Sequence, residues 1–246
     1  VTLCRTQQSY QLRPREIRFH GTILQRILQI GFPAGLQSVL YSVSNIIIQA
    51  SMNVFGTDVL AAWTAYGKLS DLYWMIISAF GIAITTFTGQ NFGAGKYDRI
   101  RQGTYACLLL GIIYCAIYIV IARFGTQYLV LLFMNADEAQ SVLDYTQRIS
   151  YAYAYGTPLL LGVNVFRLSI QGMGYSRLSL ISGLLEMIAR TAVGIWGVPQ
   201  FGFAAACLAS PLAWALADCF LIPAYYGCLN ARRRQAARVR RELPSE

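Results

Sequence analysis

The stretch Ile30–Asn53, IGFPAGLQSVLYSVSNIIIQASMN, constrains the fold of this chain more than any other. It carries no Asp, Glu, Lys or Arg, and it is long enough to cross a bilayer as a helix, which takes about 20 mostly apolar residues. It is not uniformly apolar. Ser38, Ser42, Asn45, Gln49 and Asn53 recur at steps of four, three, four and four, the rhythm of one helix face. Tyr41 stands beside that face. Hydrocarbon cannot hydrogen-bond hydroxyls and amides, so the stripe must meet protein or water. Two readings stay open: the stripe lines a wet cavity, or it glues this span to a neighbour. Pro33 is compatible with a first turn or a kink.

The rest of the chain agrees with a membrane setting. It is 56% hydrophobic and 13% charged, with a mean hydropathy of +0.45, whereas a soluble domain is about a quarter charged. The formal charge of +9 reads as membrane topology and not as nucleic-acid binding, since no nucleic-acid motif accompanies it. Cys4, Cys107, Cys115, Cys207, Cys219 and Cys228 have no CxxC spacing and mostly lie in apolar runs, so no disulfide or metal role is expected. His20 is the only histidine. The opening segment is polar and basic, without the apolar core of a signal peptide. It reads as a linker, and a chain opening on Val1 reads as a piece of something longer.

Six hydrophobic segments follow, over 24–54, 59–88, 102–122, 142–170, 177–197 and 202–228. The expected fold is all-α: a polytopic membrane protein built as a six-transmembrane-helix bundle. Residues 1–23 form a cytoplasmic linker, 24–228 the lobe, and 229–246 a basic cytoplasmic tail. GVPQFG (197–202) reads as a Pro/Gly turn between the last two spans. Lys and Arg gather on one set of connections, with Arg5, Arg13, Arg15, Arg18, Arg26, Lys96, Arg99, Arg101, Arg177 and the ARRRQAARVRRE tail. The opposite set holds Asp58, Arg123, Asp137 and Glu138. The bias puts both termini in the cytoplasm, in a cell (plasma or inner) membrane, with the tail as an anchor touching anionic lipid.

Ionisable residues inside spans mark sites, because each costs roughly 2.5–3.5 kcal/mol at bilayer depth. Lys68 and Asp71 share a helix face, and so do Glu186 and Arg190, four apart with the acid first. Each pair reads either as ion handling or as a structural bridge. Asp218 has no local partner in sequence. The fourth segment is rich in tyrosine. Tyr151 and Tyr155 lie on one face and continue towards Pro158, Asn164 and Arg167. Tyr145 reads as interfacial belt and Tyr155 as cavity lining. GQNFGAGKY (89–97) fails the phosphate-loop pattern twice, at Gln90 and at Tyr97. No nucleophile–base pair or metal set is visible, so an enzyme is not expected.

Five motifs carry a family resemblance: GFPAGLQ (31–37), SMNVFGTDVLAAW (51–63), GQNFGAGKYDR (89–99), QGMGYSR (171–177) and PQFGFAAACLASPLAW (199–214). Together they resemble the multidrug and toxic compound extrusion (MATE) family, over nearly the whole chain. Such proteins have two six-span lobes joined by a linker, and this chain is similar to the second. The resemblance implies an antiporter that exports organic cations by alternating access, driven by protons or sodium ions and needing no other cofactor. Its partners would be membrane lipids, small organic cations and a second lobe, either the missing N-terminal one or a second copy. Some sodium-coupled members carry a glutamate where Tyr41 stands, so a sodium site on this helix is in doubt. The expected cavity residues are Tyr41, Ser42, Asn45, Gln49 and Tyr155; the ion-coupling candidates are Lys68, Asp71, Glu186 and Arg190. Two other readings compete, a lipid-linked glycan flippase of the same superfamily and an inactive lobe that needs a partner chain.

Overall fold

The computed structural model describes residues 18, 20–133 and 136–242; of 26, 69, 129, 132, 133, 136–141 and 235–242 it describes the backbone alone. The linker expected before residue 18 lies outside the described residues, as do the side chains of Arg26, Asp137, Glu138, Arg238, Arg240 and Arg241. In order, the chain forms α1 (Gly21–Asn53), α2 (Thr57–Gly93), α3 (Tyr97–Phe133), α4 (Ala136–Gly172) and α5 (Ser176–Ala192). A wider π-helical turn, Val193–Gly197, then leads through α6 (Val198–Phe201) to α7 (Phe203–Glu242).

The glycine-rich motifs are helix caps. At the end of α2 the Lys96 amide donates to the Asn91 carbonyl (2.8 Å) and the Gly95 amide to Phe92 (3.1 Å). At the end of α4 the Tyr175 amide donates to Ile170 (3.1 Å) and the Gly174 amide to Gln171 (2.8 Å). Both are Schellman closures, which need a residue at positive φ after the cap. Gly95 and Gly174 supply it, at +68° and +86°.

The bundle is built around α4. Helices α2, α3 and α7 all pack on it, while α1 rests mainly on α5, and α5 on α7. Between residues 153 and 170, α4 is buried on almost every side. Small residues allow this closeness, as expected where dispersion packing replaces the hydrophobic effect between helices. A Cβ on Gly162 would come within 2.7 Å of an Asp218 carboxylate oxygen, and one on Gly172 within 2.7 Å of the Thr85 carbonyl. Tyr153 centres an aromatic layer. Its ring lies 4.9 Å from Tyr66 and 5.6 Å from Trp214, and its hydroxyl donates to Ser210 Oγ (2.9 Å).

The outside of the bundle is apolar. On α3, Leu109, Leu110, Ile112, Ile113 and Ile117 are all exposed, a surface that suits lipid and not water. Among the described residues, four helical stretches are long and apolar enough to cross a membrane: Thr57–Gly93, Tyr97–Tyr128, Ser176–Phe201 and Phe203–Arg234. Helices α1 and α4 are more polar. Part of their polar surface lines the cavity described below or meets neighbouring helices, where it does not have to satisfy lipid.

One local expectation is narrowed. The turn expected across GVPQFG is confined to its last residue: the chain stays helical through Phe201 and turns at Gly202, where φ is +61°. Pro199 has no N–H to give to the preceding turn, and the helix widens just ahead of it into the π turn instead of ending. Pro158 likewise does not interrupt α4.

Candidate functional site

A cavity of about 700 Å³ opens between α1, α2, α4, α5 and α7. It is large enough for a drug-sized molecule. Helix α1 forms one long wall because it has two polar faces. Ser44 lines the cavity but is buried, on the side of α1 that carries Ile48 and Met52, which pack against Val198, Ala205 and Ala206. Turned from that side, Ser38, Tyr41, Ser42 and Asn45 line the cavity and stay exposed. Asp71 and Trp74 of α2 face them, and Tyr41 meets Trp74 edge-on at 6.1 Å.

The inner wall is charged. Glu186 of α5 is buried and takes two guanidinium groups: Arg167 of α4 binds Oε1, and Arg190 Nη2 lies 3.5 Å from Oε2. Arg167 Nε also donates to Ser182 Oγ (3.0 Å). With the Gln37 amide turned so that its carbonyl faces Arg167, that oxygen accepts from Nε (3.2 Å) and Nη1 (3.1 Å). Gln37 also lies 2.8 Å from Ser179 Oγ and 3.0 Å from the Gln171 amide, so one network joins α1, α4 and α5. Arg190 is 2% exposed and sits over the Tyr41 ring, 5.6 Å from its centroid. Its Nε and Nη1 have no acceptor. Among the described residues no group of three His, Cys, Asp or Glu side chains could hold a metal ion.

The expected site residues divide. Tyr41, Ser42, Asn45, Asp71, Glu186 and Arg190 all line the cavity. Gln49 is exposed further along α1, outside the lining, because the wall ends about one turn before it. Lys68 is exposed, lies outside the lining and makes no ion pair with Asp71. Tyr155 is corrected: it is 65% exposed and away from the cavity, since α4 turns that side outward. Tyr151 does not stack on it but accepts from Arg123 Nη1 (3.1 Å). The Glu186–Arg190 pair forms, yet Arg167 is the nearer partner, and spacing along one helix could not reveal a charge arriving from another. Gln37 was missed, although Gln37, Tyr41 and Ser44 repeat at helical steps beside the first stripe. Asp218 is buried against α4 outside the cavity lining, and its Oδ1 has no partner.

Comparison with known proteins fixes the family. The MatE family model matches residues 33–196, two-thirds of the chain. The chain belongs to the MatE family. Among curated MatE relatives, the probable multidrug resistance protein YpnP of Bacillus subtilis is 31% identical over 139 residues, covering 56% of this chain and 30% of YpnP. YoeA of the same organism, also a probable multidrug resistance protein, is 25% identical over 124 residues, covering 50% of this chain and 27% of YoeA. A solved MATE transporter in its bent conformation superposes with a TM-score of 0.85 at 14% identity, over 96% of this chain and 52% of that one. That likeness is one of fold. The chain therefore spans about half the length of this MatE structure and under a third of these two curated relatives. It is a helical membrane protein of a transporter family, as the apolar helices and the family match agree.

Proposed function

We propose that this chain is the C-terminal lobe of an ion-coupled antiporter that exports drug-like organic molecules by alternating access. The observation that carries the reading is the open cavity along α1, whose walls combine hydroxyls, amides, rings and charges instead of being filled by packing. A wall of this kind is costly in a membrane unless it meets water or cargo. The exposed carboxylate of Asp71, close to the Tyr41 and Trp74 rings, suits an organic cation near the mouth. Protons or sodium ions would drive export. Asp71 and Glu186 are the coupling candidates; Arg190 and Lys68 tune them electrostatically, Lys68 from outside the wall. The protein would work in the cell membrane with both termini cytoplasmic, together with a second lobe that closes the cavity, and without enzymatic chemistry. The Arg167–Arg190 pair favours one second reading, a flippase for lipid-linked glycans.

Expression of the complete gene in a drug-sensitive host tests the first reading. Raised resistance to ethidium-like cations is expected, and no change in resistance would remove its support. Expression of this chain alone asks whether two copies suffice; an inert product fits a lobe that needs a different partner.

A further inference from the structure

We propose that the inner wall of the cavity binds an anionic group, a carboxylate or a phosphate, on Arg190, so that ligands carrying one are preferred to the same frame without it. The proposal rests on reading this cavity as the transport path and adds which charge it takes. Two guanidinium groups share the carboxylate of Glu186, with Asp218 acting on Arg167, and not on Arg190, from beyond 4 Å. They share it unequally. Arg167 holds Oε1 and is further served by Ser182 and Gln37. Arg190 reaches Oε2 only at 3.5 Å, and its Nε and Nη1 are buried without an acceptor. A cation this deep, lining a cavity and half supplied with acceptors, is stable only if something else completes it.

The protein offers little that could. The Tyr41 ring 5.6 Å away attracts the guanidinium but accepts no directed N–H bond. Asp218 is buried outside the lining and within 4 Å of neither arginine. Asp71 lines the cavity from α2 but forms no ion pair. The remaining N–H groups of Arg190 form part of a planar fork, which matches carboxylate and phosphate oxygens better than any neutral acceptor.

Rhodamine 19 and rhodamine 6G test this directly. They share one cationic xanthene frame, and the second carries the carboxylate of the first as an ethyl ester. Binding to the purified complete protein is read by fluorescence anisotropy. A site built for the carboxylate binds rhodamine 19 about tenfold or more tightly than rhodamine 6G, because the ester leaves buried donors unpaired. Arg190→Gln abolishes that ratio by weakening rhodamine 19 alone. Equal affinities in the wild-type protein, tighter binding of the ester, or a ratio that survives Arg190→Gln overturns the proposal. The wild-type ratio needs no variant, so a poorly folding Arg190→Gln protein does not shelter it. Efflux from vesicles separates the two levels of the argument. Export of rhodamine 6G as fast as rhodamine 19 leaves the transporter standing and removes the anion site. Selective binding of rhodamine 19 with export of neither dye does the reverse.

Discussion

Glu186 is where the residue scale decides most. It is 4% exposed and, among the described residues, is the one carboxylate within ion-pair distance of Arg167 and Arg190. Removing its charge leaves two buried guanidinium groups uncompensated, a change that costs about 3–5 kcal/mol in comparable buried pairs. Glu186→Gln is therefore expected to lower the melting temperature in detergent by many degrees, whereas Asp71→Asn, at an exposed and unpaired carboxylate, leaves it nearly unchanged. Similar melting temperatures for the two variants would show that the inner wall does not need its acid. Gly162 poses a steric question. A Cβ there meets the Asp218 carboxylate at 2.7–3.1 Å, and overpacking of this kind costs about 1–3 kcal/mol. Gly162→Val should lower thermal stability, with partial recovery in Gly162→Val/Asp218→Ala; no recovery in the double variant would place the strain elsewhere.

At the scale of elements, α1 has two polar faces with opposite fates. Ser44 is 1% exposed although it too lies along the cavity lining, while Ser42 and Asn45 are exposed there. Single cysteines placed in a background without the native ones should report this difference. Ser42→Cys and Asn45→Cys should react with a membrane-impermeant maleimide added to the purified protein, and Ser44→Cys should react at least about tenfold more slowly, as burial limits thiol reactivity. Equal rates at all three positions would mean that α1 does not keep this rotation. Helix α4 shows the complementary case. It is polar enough to fall outside the four stretches that could cross a membrane on composition, yet it is the centre of the packing. A helix surrounded by protein has no need of an apolar exterior.

Across the whole molecule, α7 ties the capped ends of the bundle together. Arg232 Nε donates to the Tyr175 hydroxyl (2.7 Å), and its guanidinium lies over Phe92 and Tyr175 at 5.8 and 5.7 Å. Arg233 reaches Asp98 at 3.4 Å. The basic segment expected to act only as a lipid anchor thus begins as a clamp on the caps of α2 and α4. Arg232→Ala should free the Lys96 turn, so that limited trypsin cleaves after Lys96 several-fold faster while cleavage after Arg123, in the last third of α3, keeps its rate. Unchanged cleavage at Lys96 would argue that the clamp restrains nothing.

A helical fold, a membrane setting and the family were legible in the residues. Long uncharged apolar runs and a 3.6-residue rhythm of amides and hydroxyls are local properties, and backbone chemistry acts on them locally. Six of the nine expected site residues line the one cavity, from α1, α2 and α5, and within each helix the face they share is set by spacing. What spacing could not supply was everything that depends on which helix stands opposite. The approach of Arg167 to Glu186, the exclusion of Tyr155 and Lys68, and the burial of a polar α4 follow from how five helices meet around one axis. Charge pairing and burial are set by distances across the bundle, and those exist only once the chain has packed.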